Sequence, residues 1–345
     1  MTSRPPQQHP AAKHVCLLAL PDSVVSTLSG IYDVMNAFAL MDMPDDATGP
    51  RVPFQVEIVG EVAGPLQLAS GIPIDVQRSI AQVGSTDIVI VPSVLLRLEG
   101  WKKGRYPVLV EWLRRMHQRG AVLCSACSGI FLLAETGLFD AKDATVHYNY
   151  ARAFNTVHPS VPVHPERVLV VSGPREELVS SGASMTWHDL VLYLFARYAG
   201  VSMAQEVARL FALQWHQDGL TPYMVFDGRR DHGDAEILSA QQWLDTHFTV
   251  ASPVEGMIER SRLAERTFMR RFRRTTGHTP IAYVQQLRIE EAKRRLERTD
   301  TSIEEIGWQV GYEDPAFFRR LFKRTTGITP GAYRKRFLVP GMADR

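Results

Sequence analysis

Arg274-Thr275-Thr276-Gly277, followed by Thr279-Pro280 and Ala282-Tyr283, returns 50 positions later as Arg324-Thr325-Thr326-Gly327, Thr329-Pro330 and Ala332-Tyr333. Just ahead of these, Phe268, Arg270 and Phe272 return as Phe318, Arg320 and Phe322. A repeat of this length is a structural unit written twice. Its copied residues alternate apolar anchors with cations on short helices. That division suits two tandem modules that each lock a helix to their own core and present its other side to a polyanion.

The helix limits around the repeat are chemically marked. Ser252-Pro253-Val254-Glu255 offers a capping serine, a proline at the first helical position and a glutamate at the third. Thr279-Pro280 and Thr329-Pro330 repeat the cap-plus-proline start, and Asp314-Pro315 opens a helix over 316–324. Thr301 with Glu304 is a capping-box candidate, and Gly311-Tyr312 supplies a tight turn, so 302–324 spells helix, turn, helix. On the last helix of that run, Phe318, Leu321 and Phe322 share one side, with Ala316, Arg319, Arg320 and Lys323 opposite. On the earlier copy Phe268 and Phe272 are the anchors, and Arg266, Met269, Arg270 and Arg273 are expected to face out. These eight outward residues are the candidate DNA contacts. Arg266, Arg270, Ala316, Arg319 and Arg320 are assigned to bases, and Arg273 and Lys323 lie nearer phosphate.

Charge supports a polyanion partner. The net charge of the whole chain is only +2. Residues 234–345 nonetheless hold 20 Lys and Arg against 15 Asp and Glu, while the remainder holds 19 against 22. Seven arginines and a single acid, Glu265, fall between 260 and 274.

Residues 235–338 resemble the AraC/XylS-type DNA-binding domain, which joins two helix-turn-helix units by a long helix. The resemblance implies units at about 252–275 and 302–325, with the linking helix at about 280–298. It is densest in the second unit: Ile303, Glu304, Ile306, Val310-Gly311-Tyr312, Asp314-Pro315, Phe318, Arg320, Phe322, Lys323 and Gly327 through Arg334. The first unit departs at Ala264, which stands where the second has the cap Asp314. Gly307 stands where an alanine is usual.

Upstream, from His14 to about Leu213, short apolar runs alternate with helical stretches. Val15–Leu20, Phe54–Val59, Asp87–Val91 and Ala121–Cys124 read as buried strands, with two more candidates at Val168–Val171 and Glu177–Ser180. Helical periodicity fits Val24–Leu40, Val108–Arg119, Ser128–Glu135, Tyr148–Val157 and Met185–Tyr198. Strands separated by helices predict an α/β fold, a flavodoxin-like parallel sheet with helices on both faces, ahead of the all-α part. Gly and Pro between 216 and 234 read as a linker, and residues 1–13, rich in Pro and Gln, as a disordered tail rather than a signal peptide.

The informative stretch of this first domain, 14–215, is Cys124-Ser125-Ala126-Cys127-Ser128-Gly129. It follows a strand and precedes a helix, which is nucleophile-elbow placement for a thiol. Ala144-Thr145 and His147 bring an imidazole into reach in sequence. The arrangement resembles the type 1 glutamine amidotransferase-like superfamily, PfpI-like branch. Joined to an AraC-type tail, it resembles the GlxA-like transcriptional regulators. By that match Cys127 is the nucleophile position, with His147 beside it. Enzymes of the branch have an acid where Thr27 stands and often a glycine where Ser93 stands. Both departures argue against efficient hydrolysis. Thr27, Ser93, Cys127, Ser128, His147, Trp187 and His188 are therefore read as a pocket kept for sensing a small molecule, with no catalytic residue. Competing readings are a thiol buried by packing at Cys127, a structural hydrogen-bonder at His147 and a core tryptophan at Trp187. His158 and His164, in a Pro-rich loop, are expected to be solvated.

Three cysteines, at 16, 124 and 127, make no disulfide framework. The lone C-x-x-C lacks the second pair of a zinc site, so no metal or cofactor is expected. No apolar run approaches the ~20 residues of a membrane span. The sequence therefore predicts a cytoplasmic DNA-binding transcriptional regulator, more readily an activator than a repressor. Its expected partners are double-stranded DNA, a small effector, a second copy of itself and, for an activator, RNA polymerase. The alternatives are a cysteine-dependent amidase or hydratase with a DNA-binding tail, and a redox sensor using Cys124 and Cys127.

Overall fold

The computed structural model describes residues 11–40, 52–96 and 100–339. Most of the tail expected at 1–13 lies outside the described residues, and Lys13 already belongs to the first strand. The chain divides into two compact units between Leu220 and Thr221.

The first unit carries strands β1 (Lys13–Leu18), β2 (Phe54–Gly60), β3 (Gly64–Gln67), β4 (Pro73–Val76), β5 (Arg78–Ser79), β6 (Ile88–Val91), β7 (Val122–Ala126), β8 (Leu169–Ser172) and β9 (Leu178–Ser181). Seven of them form one sheet in the order β5-β2-β1-β6-β7-β9-β8. Its pairs are parallel except β8 with β9, so of the last two predicted strands β9 is a parallel member beside β7 and β8 joins it as an antiparallel edge. The helices are α1 (Val25–Met35), α2 (Ala37–Leu40), α3 (Pro107–Gln118), α4 (Ile130–Ala134), α5 (Ala151–Val157), α6 (Trp187–Ala199) and α7 (Val201–Leu210).

Alternation along each strand divides the core into two layers. Cys16, Leu18, Val89, Val91 and Leu123 face α3, α4 and α5. Val15, Leu17, Ile88, Ile90 and Cys124 face α1, α6 and α7. The single helix expected over Val24–Leu40 is interrupted at Asn36, whose N–H and side-chain amide both return to the Tyr32 carbonyl. The hairpin of β3 and β4 and the helix α7 were not anticipated from sequence. α7 restarts after Gly200, whose φ of 91° ends α6.

The second unit has helices α8 (Ala235–His247), α9 (Pro253–Ser261), α10 (Glu265–Thr276), α11 (Pro280–Arg298), α12 (Ile303–Gln309), α13 (Pro315–Thr326) and α14 (Pro330–Phe337). It has two small cores. Ile237, Leu244, Met257, Phe268, Phe272 and Tyr283 fill the first; Ile289, Leu296, Ile306, Phe318, Phe322 and Tyr333 fill the second. α11, about 28 Å long at 1.5 Å per residue, runs through both. Arg288 on α11 ties them together. Its nearly buried guanidinium donates to the carbonyls of Phe248 (2.7 Å), Val250 (2.8 Å) and Gly311 (2.8 Å).

Caps explain the helix starts. The hydroxyls of Thr279 and Thr329 accept from the N–H groups of Ala282 and Ala332. Ser302, not the expected Thr301, caps α12 by accepting from Glu305 N–H at 3.1 Å. Ser252 makes no side-chain cap bond, and Pro253 alone marks that start. Gly307 has a packing reason: a Cβ there would lie 3.1 Å from the Phe318 ring.

The stretch read as a linker is not free chain. From Thr221 onward it is docked on the second unit. Met224 O accepts from Lys293 Nζ at 2.6 Å. Phe226 packs edge-on against Tyr283, with ring centroids 5.0 Å apart. Gly228 abuts the Tyr283 hydroxyl so closely that no Cβ fits. Arg230 makes a two-point pair with Asp245, and Asp234 caps α8.

Candidate functional site

The two repeated helices are held alike. Phe268 and Phe272 on α10, and Phe318 and Phe322 on α13, are fully buried. Phe272 meets Tyr283 edge-on at 5.3 Å, as Phe322 meets Tyr333 at 5.5 Å. The tyrosine hydroxyls are satisfied differently: Gln241 Nε2 donates to Tyr283 at 2.9 Å, whereas Tyr333 donates to Glu297 at 2.5 Å. Burial and the Glu297 carboxylate push the Tyr333 phenol well above its usual range. Each helix ends on a glycine at positive φ, Gly277 at 80° and Gly327 at 84°, as a left-handed C-cap requires.

The opposite sides carry the expected cations. Arg266, Arg270 and Arg273 on α10, and Ala316, Arg319, Arg320 and Lys323 on α13, are exposed. Met269 is a correction: it is half-buried and packs on the first core, because its position lies beside the Phe268 stripe. Arg319 is ion-paired with Glu304 on α12, and Arg320 lies 4.0 Å from Asp314. Arg271 is diverted altogether. Asp234 and Glu236 clasp it at 2.7 and 2.8 Å, so the arginine cluster of 260–274 is not one uniform face.

The turns differ between copies. α10 follows α9 through Arg262, left-handed at φ 56°, whereas α13 follows α12 through Gly311 at 92°. A non-glycine residue in that region costs roughly 1–2 kcal/mol. A Cβ at 311 would also meet Thr249 O at 2.7 Å, so only glycine fits there.

In the first unit Cys127 sits at the end of β7, where the chain turns into a short 3-10 segment, and its φ is 50°. That strained elbow is what a strand-to-helix nucleophile turn produces. Close approach is built in by Gly129, where a Cβ would lie 2.5 Å from Pro92 O. The pocket expected around it is nearly closed. Thr27, Ser93, Cys127, Ser128 and Trp187 are all buried. Ser128 Oγ is spent on a two-way clasp with Val94, donating to its carbonyl at 2.6 Å and accepting from its N–H at 2.9 Å. Trp187 packs on Gly30 within the core, and His188 lies against it, half-buried.

Cys127 Sγ has Ser184 Oγ at 3.6 Å. Burial raises its thiol above the usual range, partly offset by the hydroxyls of Ser184, Ser128 and Ser93. His147 does not bond to it among the described residues. Its Nδ1 accepts from Asn149 N–H at 3.2 Å, and its ring lies tilted against Tyr148 with centroids 4.4 Å apart. Burial also lowers the His147 and His188 imidazoles. The acid nearest in sequence to Thr27, Asp22, is buried and committed to Arg105 and Tyr106. Among the described residues the hydrogen-bond partner of the thiol is the Ser184 hydroxyl, and neither His147 nor Asp22 is bonded to it.

Cys124 points into the α6 side of the sheet and burial pushes its thiol up to about 12. A Cys124–Cys127 redox couple would have to form inside packed core. His158 corrects the sequence reading. It is buried against Phe131 and Phe154, since the loop bearing it is tied back by the Ala144–Val163 bridge. His14, Cys16 and Glu57 are gathered within 4.8 Å in β1 and β2, a grouping the sequence did not suggest; the Arg78 guanidinium is paired with Glu57 there.

An open cavity of about 360 Å³ does exist at the C-terminal ends of β1 and β2, lined by Leu20, Pro21, Glu61, Leu66, Arg105 and Tyr106. The loop that leaves its wall at Pro21 is tied to Ser93, whose carbonyl accepts from Val24 N–H at 2.8 Å. Among the described residues no helix is long and apolar enough to cross a membrane.

Comparison with known proteins agrees with both halves. Residues 35–188 match the DJ-1/PfpI family, and residues 257–336 match a helix-turn-helix domain family. The HTH-type transcriptional regulator CdhR of Pseudomonas aeruginosa is 26% identical over 273 residues, 77% of this chain and 77% of that protein. The HTH-type transcriptional regulator GlxA of Rhizobium meliloti is 25% identical over 207 residues, 60% of this chain and 63% of that one. Among solved structures, an AraC family transcriptional regulator from Pseudomonas putida is 18% identical, with a TM-score of 0.47 over 58% of this chain and 99% of that one. The chain thus carries a DJ-1/PfpI domain followed by an AraC-type helix-turn-helix domain, and the similar proteins are named HTH-type transcriptional regulators, which supports a DNA-binding regulator.

Proposed function

We propose that this regulator responds to a small metabolite taken up by its α/β unit. In this reading α10 and α13 enter successive major grooves about 34 Å apart, and two copies act together. The observation that carries it is the pair of Phe-anchored, Arg-faced helices held to one frame by α11 and Arg288. The effector is assigned to the cavity beside Arg105 and Tyr106, from which the loop over Pro21–Val24 leads to Ser93 and Cys127. Effector binding biases how the DNA-binding units are presented, a coupling of about 1–3 kcal/mol. Activation, with RNA polymerase as a further partner, is the favoured sign.

The test is a salt-controlled anisotropy titration of the purified protein on its own upstream intergenic DNA and on a scrambled duplex. Tighter binding to the native duplex, weakening as salt rises, is expected. Equal binding to both would overturn a nearby target, and no binding even at low salt would overturn the regulator reading. The strained Cys127 favours one rival, an amidase or hydratase with a DNA-binding tail. That rival requires turnover that disappears in Cys127→Ala. The regulator reading requires that this variant bind DNA as the wild type does.

A further inference from the structure

We infer that Phe317 reads DNA by taking the C5-methyl group of a thymine in the major groove. The inference rests on the assignment of α13 as a recognition helix. The core formed by Ile289, Leu296, Ile306 and Tyr333 is already filled from α13 by Phe318, Leu321 and Phe322. Phe317 is not among them. It is 37% exposed, and its ring touches one aromatic neighbour, Tyr312, at 5.6 Å. It stands on the first turn of α13, next to Ala316 and three residues before Arg320, so ring and guanidinium share a face. First-turn residues of a recognition helix are the ones that reach base edges.

A large apolar ring left partly in water beside Arg320 is costly, and the major groove offers it one apolar group, the thymine methyl. The helix start is rigid enough to aim it. Asp314 accepts from the N–H of Phe317 itself at 3.1 Å, and Tyr312 under the ring is fixed by the Arg288 guanidinium 5.0 Å from its centroid. In the first copy the equivalent position is Thr267, whose shorter side chain is half-buried. The two units therefore read different chemistry at the same place. The second requires a thymine and the first does not present the same reach.

The experiment uses the full chain and duplexes enriched by it from a random-sequence library. Each thymine of the enriched duplex is replaced in turn by deoxyuridine, which removes only the methyl, and affinity is read by competition at fixed salt. For the wild type, one or two positions within the part of the site bound by α13 are expected to weaken about fourfold, the factor one buried methyl supplies. In Phe317→Ala the thymine-to-uracil ratio at those positions falls to one, and Phe317→Leu retains part of it. The ratio compares one protein on two duplexes, so a general loss of folding does not imitate the result. Two outcomes overturn the inference: a wild type indifferent to every methyl, or a Phe317→Ala variant with the wild-type ratio. Failure of any sequence to enrich would instead overturn the DNA-reading assignment beneath it.

Discussion

The two repeated helices, α10 and α13, begin differently, and the difference sets a measurable inequality. Asp314 caps α13: its carboxylate accepts from Ala316 N–H at 2.8 Å and Phe317 N–H at 3.1 Å. Ala264 holds the same extended backbone ahead of α10, with φ −61° and ψ 139°, yet offers no side-chain acceptor. Its carbonyl takes the Thr267 and Phe268 N–H groups at 2.9 and 3.0 Å, which leaves the first amides of α10 to water. A missing cap costs about 1 kcal/mol, roughly a factor of five in the local opening equilibrium. Amide hydrogen exchange, read on peptides over 264–270 and 314–320, should therefore be about fivefold faster in α10. Ala264→Ser should slow it by that factor. Serine is preferable to aspartate here, because an anion beside Arg266 and Arg270 would confound DNA binding. Asp314→Ala should speed the first turn of α13 equally. Equal protection of the two helices in the wild type, or no response to Ala264→Ser, would refute the reasoning. The expected consequence is that α10 completes its first turn on DNA.

Arg270→Ala and Arg320→Ala should each weaken specific binding by about 1–3 kcal/mol, with Arg319→Ala costing less because Arg319 is already paired with Glu304; anisotropy at fixed salt ranks them. Arg288→Met should leave the Phe248, Val250 and Gly311 carbonyls without their donor. A loss of about 3 kcal/mol or more is expected, seen as faster exchange along α11. Burial, reinforced by the Lys103 charge, depresses the His158 imidazole from 6.5 to about 4. The unfolded chain then binds that proton first, so this contribution to stability is present above pH 6.5 and is lost as pH falls from about 6.5 toward 4. The melting temperature of the wild type should drop more steeply over that window than that of His158→Phe.

Local chemistry made much of this fold legible. Thr279-Pro280, Asp314-Pro315 and Gly327 announce helix ends because caps act within four residues, and the 50-residue repeat announced two units. The elbow at Cys127 was legible for the same reason: a strand, a small-residue turn and a helix are contiguous. What escaped was set by distant partners. Nothing near Arg271 in sequence foretells that Asp234, 37 residues away, will hold its guanidinium in an ion pair. Arg319 looked free until α12 brought Glu304 across. His147 looked like a thiol partner from spacing, but the fold turns its Nδ1 toward Asn149. Closure of the site around Thr27, Ser93 and Trp187 is a packing outcome that periodicity does not encode.

The docked stretch after Leu220 bears on how the DNA-binding half is to be excised for biophysics. A fragment cut at the first residue of α8, Ala235, discards the Asp234 cap together with its hold on Arg271. It also strips Phe226 from Tyr283 and Met224 from Lys293, leaving a buried ammonium without its carbonyl. A fragment cut at 221 keeps all of these. Loss of DNA binding in the shorter piece would therefore report a damaged scaffold, not a requirement for the α/β unit.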